Sequence, residues 1–288
     1  MVLLVFCLVI NSLIGVIFKL YHKYGIDNYQ AITINYFICV LTGSVVLGKL
    51  ALPSDLFDKP WFWISVFMGF LFVVTFNLMA LTVQNFGVSI ATIFQKMSLI
   101  APALLAIFIY NESAPVTKMV GIFLAIMSII LLSYNKQKNQ DIFHAGWIVF
   151  LPISIFVGSC IVDSCLYLVD KEALAPNGDI EFVSSLFFFA GFFGLIKLIY
   201  LSFRKKVVIK TKNIIGGIAL GIPNFFSIYL ILLLLSKGWQ GSVVFPVNNV
   251  GVLILATFFG YLFFKEKLTG IKIVGFVLAC TAITLIAL

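Results

Sequence analysis

The sequence predicts an all-α integral membrane protein of ten transmembrane helices, arranged as two inverted five-helix repeats. Three observations predict it. Of the 288 residues, 62% are apolar and only 10% charged, against about 25% charged in soluble domains. The apolar stretches are long and continuous rather than alternating, which selects helices over a barrel, because a bilayer admits only structures that satisfy every backbone group internally. The chain also repeats itself at a fixed offset.

A spanning helix needs roughly 20 apolar residues. Ten stretches qualify in order: 2–20, 30–48, 61–84, 87–110, 117–134, 146–169, 182–203, 213–235, 241–264 and 270–287. The first has no charged leader and no small-residue cleavage site. Met1 to Lys19 is therefore expected to be a retained helix. The polar connections run from Tyr21 to Asn28, Lys49 to Lys59, Lys136 to His144, Asp170 to Glu181 and Arg204 to Asn213. None is long enough for a separate soluble domain.

Sliding residues 87–132 forward by 154 positions superposes Gly87 on Gly241, Glu112 on Glu266, Lys118 on Lys272 and Gly121 on Gly275. Apolar identities are cheap in membrane sequences, so these polar and glycine matches carry the weight. The repeats are then 1–135 and 146–288, five spans each. Five is odd, so the second repeat enters the membrane from the opposite side, an arrangement recurrent in secondary transporters.

The segments Glu112 to Gly121 and Glu266 to Gly275, each ending one apolar helix and opening the next, resemble the drug/metabolite transporter superfamily, in particular its EamA-like ten-span members. The Gly15-Val16-Ile17-Phe18-Lys19 end of the first span is similar too. The resemblance implies a central cavity lined chiefly by spans 1, 3, 4, 6, 8 and 9. It also implies transport of a small polar metabolite, by default the export of an amino acid or related compound, by alternating access.

The net charge of +8 is expected to set orientation rather than bind nucleic acid. Loops after spans 1, 5, 7 and 9 hold twelve Lys and Arg, including Arg204 to Lys212, against five in the alternate loops. Positive-inside bias then places both termini outside, whereas the resemblance implies cytoplasmic termini. The charge count carries our expectation. The location expected is the cell (inner) membrane.

Ionisable groups inside spans are costly and need a reason. Lys96 lies mid-span among Thr92, Gln95 and Ser98. It either faces an aqueous cavity and binds an anionic group, or makes a structural ion pair. Asp163 is a cation or proton site, a partner of Lys96, or a group wetted near the interface. Lys96 is nine residues into its span and Asp163 seventeen, an axial offset of about 12 Å at 1.5 Å per residue. A direct pair therefore needs tilt or a bridging group.

Pro246, Asn248 and Asn249 suggest a discontinuous ninth span bearing a hydrogen-bonding site, the alternative being interhelical glue. Neighbours lie 100° apart on a helix, so only one of the two amides readily faces a cavity. Asn224 and Asn77 are cavity or packing residues. Pro223 suggests a kink in the eighth span, and Gly216, Gly217 and Gly221 close packing or bending. Glu112 and Glu266, at membrane edges near helix N-termini, are expected to be structural or gating residues, as are Pro102, Pro223 and Pro246.

Cys7, Cys39, Cys160, Cys165 and Cys280 are odd in number, lie in apolar runs and have no metal-finger spacing. We read them as small core residues. No metalloprotease motif, phosphate-cradling loop or nucleotide-binding domain is present in the sequence, so no cofactor is expected. The partners expected are a small-molecule substrate and lipid, with a proton or other ion and a second copy of the chain left open. The rival to a transporter is a membrane enzyme or scaffold without flux.

Overall fold

The computed structural model describes residues 2–86, 88–133, 150–175, 179–205, 210–264 and 269–287. Most of the described residues are helical, with no strand among them. The helices are α1 (Val2–Tyr24), α2 (Asn28–Leu47), α3 (Phe62–Phe86), α4 (Val88–Lys96), α5 (Ile100–Leu104), α6 (Val116–Ser133), α7 (Phe150–Lys171), α8 (Ile180–Lys205), α9 (Thr211–Ser236), α10 (Gly241–Phe264) and α11 (Gly270–Ala287). Seven stretches are long and apolar enough to cross a membrane, and three shorter apolar helices lie at 2–18, 116–132 and 270–286. Glu266, Gly87, Lys136, Lys138, His144, Lys206, Lys265, Lys267 and the boundary between the two expected repeats lie outside the described residues.

The helices gather into two compact units that do not follow the sequence halves. Unit 1 comprises Met1–Val73 and Leu168–Lys237, and unit 2 comprises Val74–Tyr167 and Gly238–Leu288. Each unit therefore takes helices from both halves of the chain.

In unit 1, α2 packs against α8 and α9, and α1 against α9. Asp27 caps α2 by accepting from Gln30 N at 2.9 Å, and Gly48 ends it in the left-handed conformation at φ 72°. Glycines set the α2–α9 approach: a Cβ at Gly217 would fall 2.6 Å from Ile34, and one at Gly221 2.5 Å from Ile38. Tyr21 donates to the Gly216 carbonyl at 2.5 Å. At the helix ends, Trp61 donates to Asp179 at 3.2 Å, and Lys49 pairs with Glu181 in the first turn of α8 at 3.0 Å.

In unit 2, α6 packs along α11, while α10 contacts α5, α6 and α11. A Cβ at Gly121 would lie 2.7 Å from Ile286 and 3.1 Å from the Ala282 carbonyl; one at Gly275 would lie 2.9 Å from both Leu131 and the Leu132 amide. As α6 advances its contacts on α11 recede, so the pair is antiparallel.

One expectation about irregular helices changes. α10 runs unbroken from Gly241 to Phe264 with Pro246 inside it, and α9 unbroken through Pro223. Pro246 sits in the second turn, where it removes a single bond to the Ser242 carbonyl. The discontinuity lies instead in the predicted fourth span. There α4 gives way to a 3₁₀ turn at Met97–Leu99, then α5, then a π turn at Leu105–Ile109. Pro102 has no N–H for the Ser98 carbonyl, and the 3₁₀ turn lies just ahead of it. Of the cysteines, Cys7, Cys39 and Cys165 are buried, but Cys280 is exposed rather than in a core.

Candidate functional site

The helix irregularity coincides with the charged residue. Lys96 closes α4, and its Nζ donates to Asn249 Oδ1 of α10 at 3.2 Å. Two residues later, Ser98 in the 3₁₀ turn donates its hydroxyl to Asp163 Oδ2 of α7 at 2.6 Å. All four residues belong to unit 2. Ser98 and Asn249 are buried, at 2% and 6% exposure, whereas Lys96 and Asp163 are half-buried.

Among the described residues no ion pair joins Lys96 to Asp163 directly. The reason is angular as well as axial. Residues two apart on a helical stretch project toward nearly opposite sides. Lys96 therefore reaches α10 while Ser98 reaches α7. Each charge is held by a neutral hydrogen-bonding group. A charge-assisted bond of this kind is strong, and the Lys96 and Asp163 charges still attract one another without direct contact.

The other predicted positions separate. Asn248 is buried beside Asn249. Gln95 is half-buried in α4, and Asn77 is half-buried in the part of α3 that belongs to unit 2. Asn224 lies in unit 1, where its Nδ2 donates to Asn35 Oδ1 at 3.1 Å. It therefore belongs to a different unit from Lys96. Asn35 and Ser98 are polar partners that the sequence reading did not single out. Ser98 was visible only as a polar neighbour of Lys96; Asn35 gave no signal beyond being an amide in an apolar run.

Glu112 follows the π turn. Its carboxylate accepts from Gly241 N at 3.1 Å, Ser242 N at 3.1 Å, Ser242 Oγ at 2.8 Å and the Tyr167 hydroxyl at 2.9 Å. It thus caps α10, not the helix that follows it in sequence. Lys118 Nζ, 4% exposed, donates to the Ser113 carbonyl at 2.6 Å and to Gln240 Oε1 at 2.5 Å.

Residues 2–134 match the model of the EamA-like transporter family. An uncharacterized protein of Haemophilus influenzae is 29% identical over 287 residues, covering 97% of this chain and 95% of that one. A solved crystal structure superposes with a TM-score of 0.76 at 11% identity, over 99% of this chain and 96% of the other, and shares the fold. The long apolar helices make the chain an integral multi-pass membrane protein. Over residues 2–134 the chain is similar to the EamA-like transporter family.

Proposed function

We propose that the protein is a ten-span secondary transporter built of two inverted five-helix repeats, 1–135 and 146–288, which moves a small polar metabolite by alternating access. The cargo class is an amino acid or a related compound, the direction export, and the location the cell (inner) membrane. The observation that carries this reading is the Lys96–Asn249 and Ser98–Asp163 arrangement: a cation and an anion inside apolar helices, each hydrogen-bonded but not paired. Intramembrane ionisable groups of this kind mark substrate or proton paths.

Contacts of α6 with α11 support the repeat. Shifted by 154, Gly121 becomes Gly275 and Leu132 becomes Ile286. Gly121 meets Ile286, and Gly275 meets Leu132. Such reciprocity is what a two-fold axis generates. The charges break the symmetry, because Lys96 corresponds to Val250.

Purified protein in liposomes, offered a mixture of radiolabelled amino acids and related polar metabolites, is expected to show saturable flux. Absence of flux across the whole mixture would remove the transporter reading in favour of an enzyme or scaffold. Orientation has its own test. In a background lacking the five native cysteines, Glu172→Cys is expected to react with an impermeant thiol reagent on intact cells, and Lys210→Cys only after permeabilisation. The reverse pattern would place the Arg204 to Lys212 loop outside.

A further inference from the structure

The Glu112 carboxylate lies apart from the Lys96 site but grips the helices that complete it. Tyr167, whose hydroxyl it accepts, is four residues after Asp163 on α7. Ser242, whose amide and hydroxyl it accepts, is seven residues before Asn249 on α10. Spacings of four and seven residues fall on one face of a helix. The face of α7 held by Glu112 is therefore the face carrying Asp163, and the face of α10 held by Glu112 is the face carrying Asn249. Glu112 itself follows the span that supplies Lys96 and Ser98.

We propose that Glu112 is a positioning residue that locks the axial register of α7 and α10 against the fourth span, and so holds Asp163 at Ser98 and Asn249 at Lys96. The inference rests on reading those four residues as the binding site, but its structural content is testable without transport. A helix held at one point can still slide or turn; a second contact two turns away on the same face fixes both freedoms. For α10 the two points are Ser242 and Asn249, about 10.5 Å apart along the axis. For α7 they are Tyr167 and Asp163, one turn apart.

The surroundings suit a lock rather than a transient latch. The Glu112 amide donates to the Ala106 carbonyl at 2.9 Å, tying the link to the π turn. Lys118 of α6 bridges the same link to Gln240, and its Nζ reaches Ser242 Oγ at 3.4 Å. Gly241 is required here, because a Cβ would enter the Tyr167 ring. Just before the cap, Gly238 turns the chain at φ 83° with nothing near its Cβ site.

The groups facing the carboxylate are Ser242 and the Gly241 amide from α10, Tyr167 from α7 and Lys118 from α6. Burial pushes the Glu112 carboxyl up, but the hydrogen bonds from Ser242, Tyr167 and Gly241 outweigh it and hold the group below the usual carboxylate range. For a depressed acid, the stabilisation is complete above the ordinary carboxylate pKa and is lost as pH falls through the lower folded value. The lock is therefore closed, and insensitive to pH, at every pH above the ordinary carboxylate range.

Hydrogen exchange on the purified full-length protein in nanodiscs tests the proposal. Glu112→Gln keeps the shape but replaces one acceptor oxygen with an amide donor facing the Ser242 N–H. Amides around Asn249 and around Asp163 are expected to exchange on the order of tenfold faster, the population ratio for losing a charge-assisted bond. The increase should be the same at pH 5.5 and pH 7.5. Tyr167→Phe removes the α7 arm alone, so exchange should rise around Asp163 and not around Asn249. A rise confined to Gly241–Phe245 would reduce Glu112 to a local cap and overturn the register lock, as would wild-type exchange throughout. Because no flux enters this measurement, liposomes showing no transport beside a positive exchange pattern would sink the functional reading and leave the lock standing.

Discussion

Lys96→Met keeps the protein folded and inserted but abolishes substrate binding, or the pH dependence of that binding. A central lysine costs about 3 kcal/mol to place in a bilayer on translocon scales, enough to require compensation. In the structure that compensation is the amide oxygen of Asn249, at 3.2 Å, together with the more distant attraction of the Asp163 carboxylate. Methionine is apolar, flexible and close in length, so it fills the space without the charge. The loss to Asn249 is one acceptor contact, and buried asparagine readily finds another partner between helices. Stability should therefore change little while an anionic ligand loses its counter-charge. Lys96→Arg retains charge but is expected to impair flux as well. The guanidinium is planar and does not deprotonate in proteins, and its fork does not match one amide oxygen. Thermal stability and liposome flux measured on the same preparation decide the matter. Unchanged flux with intact pH dependence in Lys96→Met would make the lysine structural.

The parts of the fold that follow from continuous apolar runs were legible in the sequence. The last two helices, 241–264 and 270–287, begin and end where composition puts them. Glycines and a charged loop bound them, and no internal irregularity competes. The sequence of the fourth span reads as one helix because an apolar run carries no mark of a change in helical pitch. Pro102 is such a mark only in retrospect, since Pro246 and Pro223 are equally visible and α10 and α9 pass through both. What differs is position and support: Pro246 falls in a capped second turn, whereas Pro102 lies deep in a span, where the Ser98 carbonyl accepts in the tighter 3₁₀ pattern instead. The Glu112 contact was half legible. Preference of a carboxylate for a helix N-terminus is local physics, but the helix it caps begins 129 positions later. Only tertiary structure selects α10 over the adjacent α6. The Lys96 and Asp163 separation was readable as an axial offset; the partners that fill it, Ser98 and Asn249, depend on which sides of the 3₁₀ turn face α7 and α10.

The double variant Gly217→Ala, Gly221→Ala is expected to lower the Tm of the purified protein, although alanine is the better helix former by about 1 kcal/mol per site. The opposing term is overpacking, typically about 1–3 kcal/mol per site, and here the neighbours are least able to yield. A Cβ at Gly217 would lie 2.8 Å from the Ala31 carbonyl as well as 2.6 Å from Ile34; one at Gly221 would lie 3.0 Å from the Asn35 carbonyl as well as 2.5 Å from Ile38. Side chains rotate away from such contacts, but backbone carbonyls in α2 move only with the helix. Displacing α2 from α9 also opens the Asn224–Asn35 bond of 3.1 Å and the Cys39 thiol contact to the Gly221 carbonyl at 3.3 Å. Small residues that let backbones approach are what drives helix association in lipid, where apolar surface alone gives no preference for protein over tails. Gly15→Ala is the control. It too sits inside a helix, but nothing lies within 4 Å of its Cβ site, so only the propensity gain acts and Tm should hold or rise slightly. Equal Tm values for the double variant and the wild type would mean that α2 and α9 do not approach as closely as these glycines require.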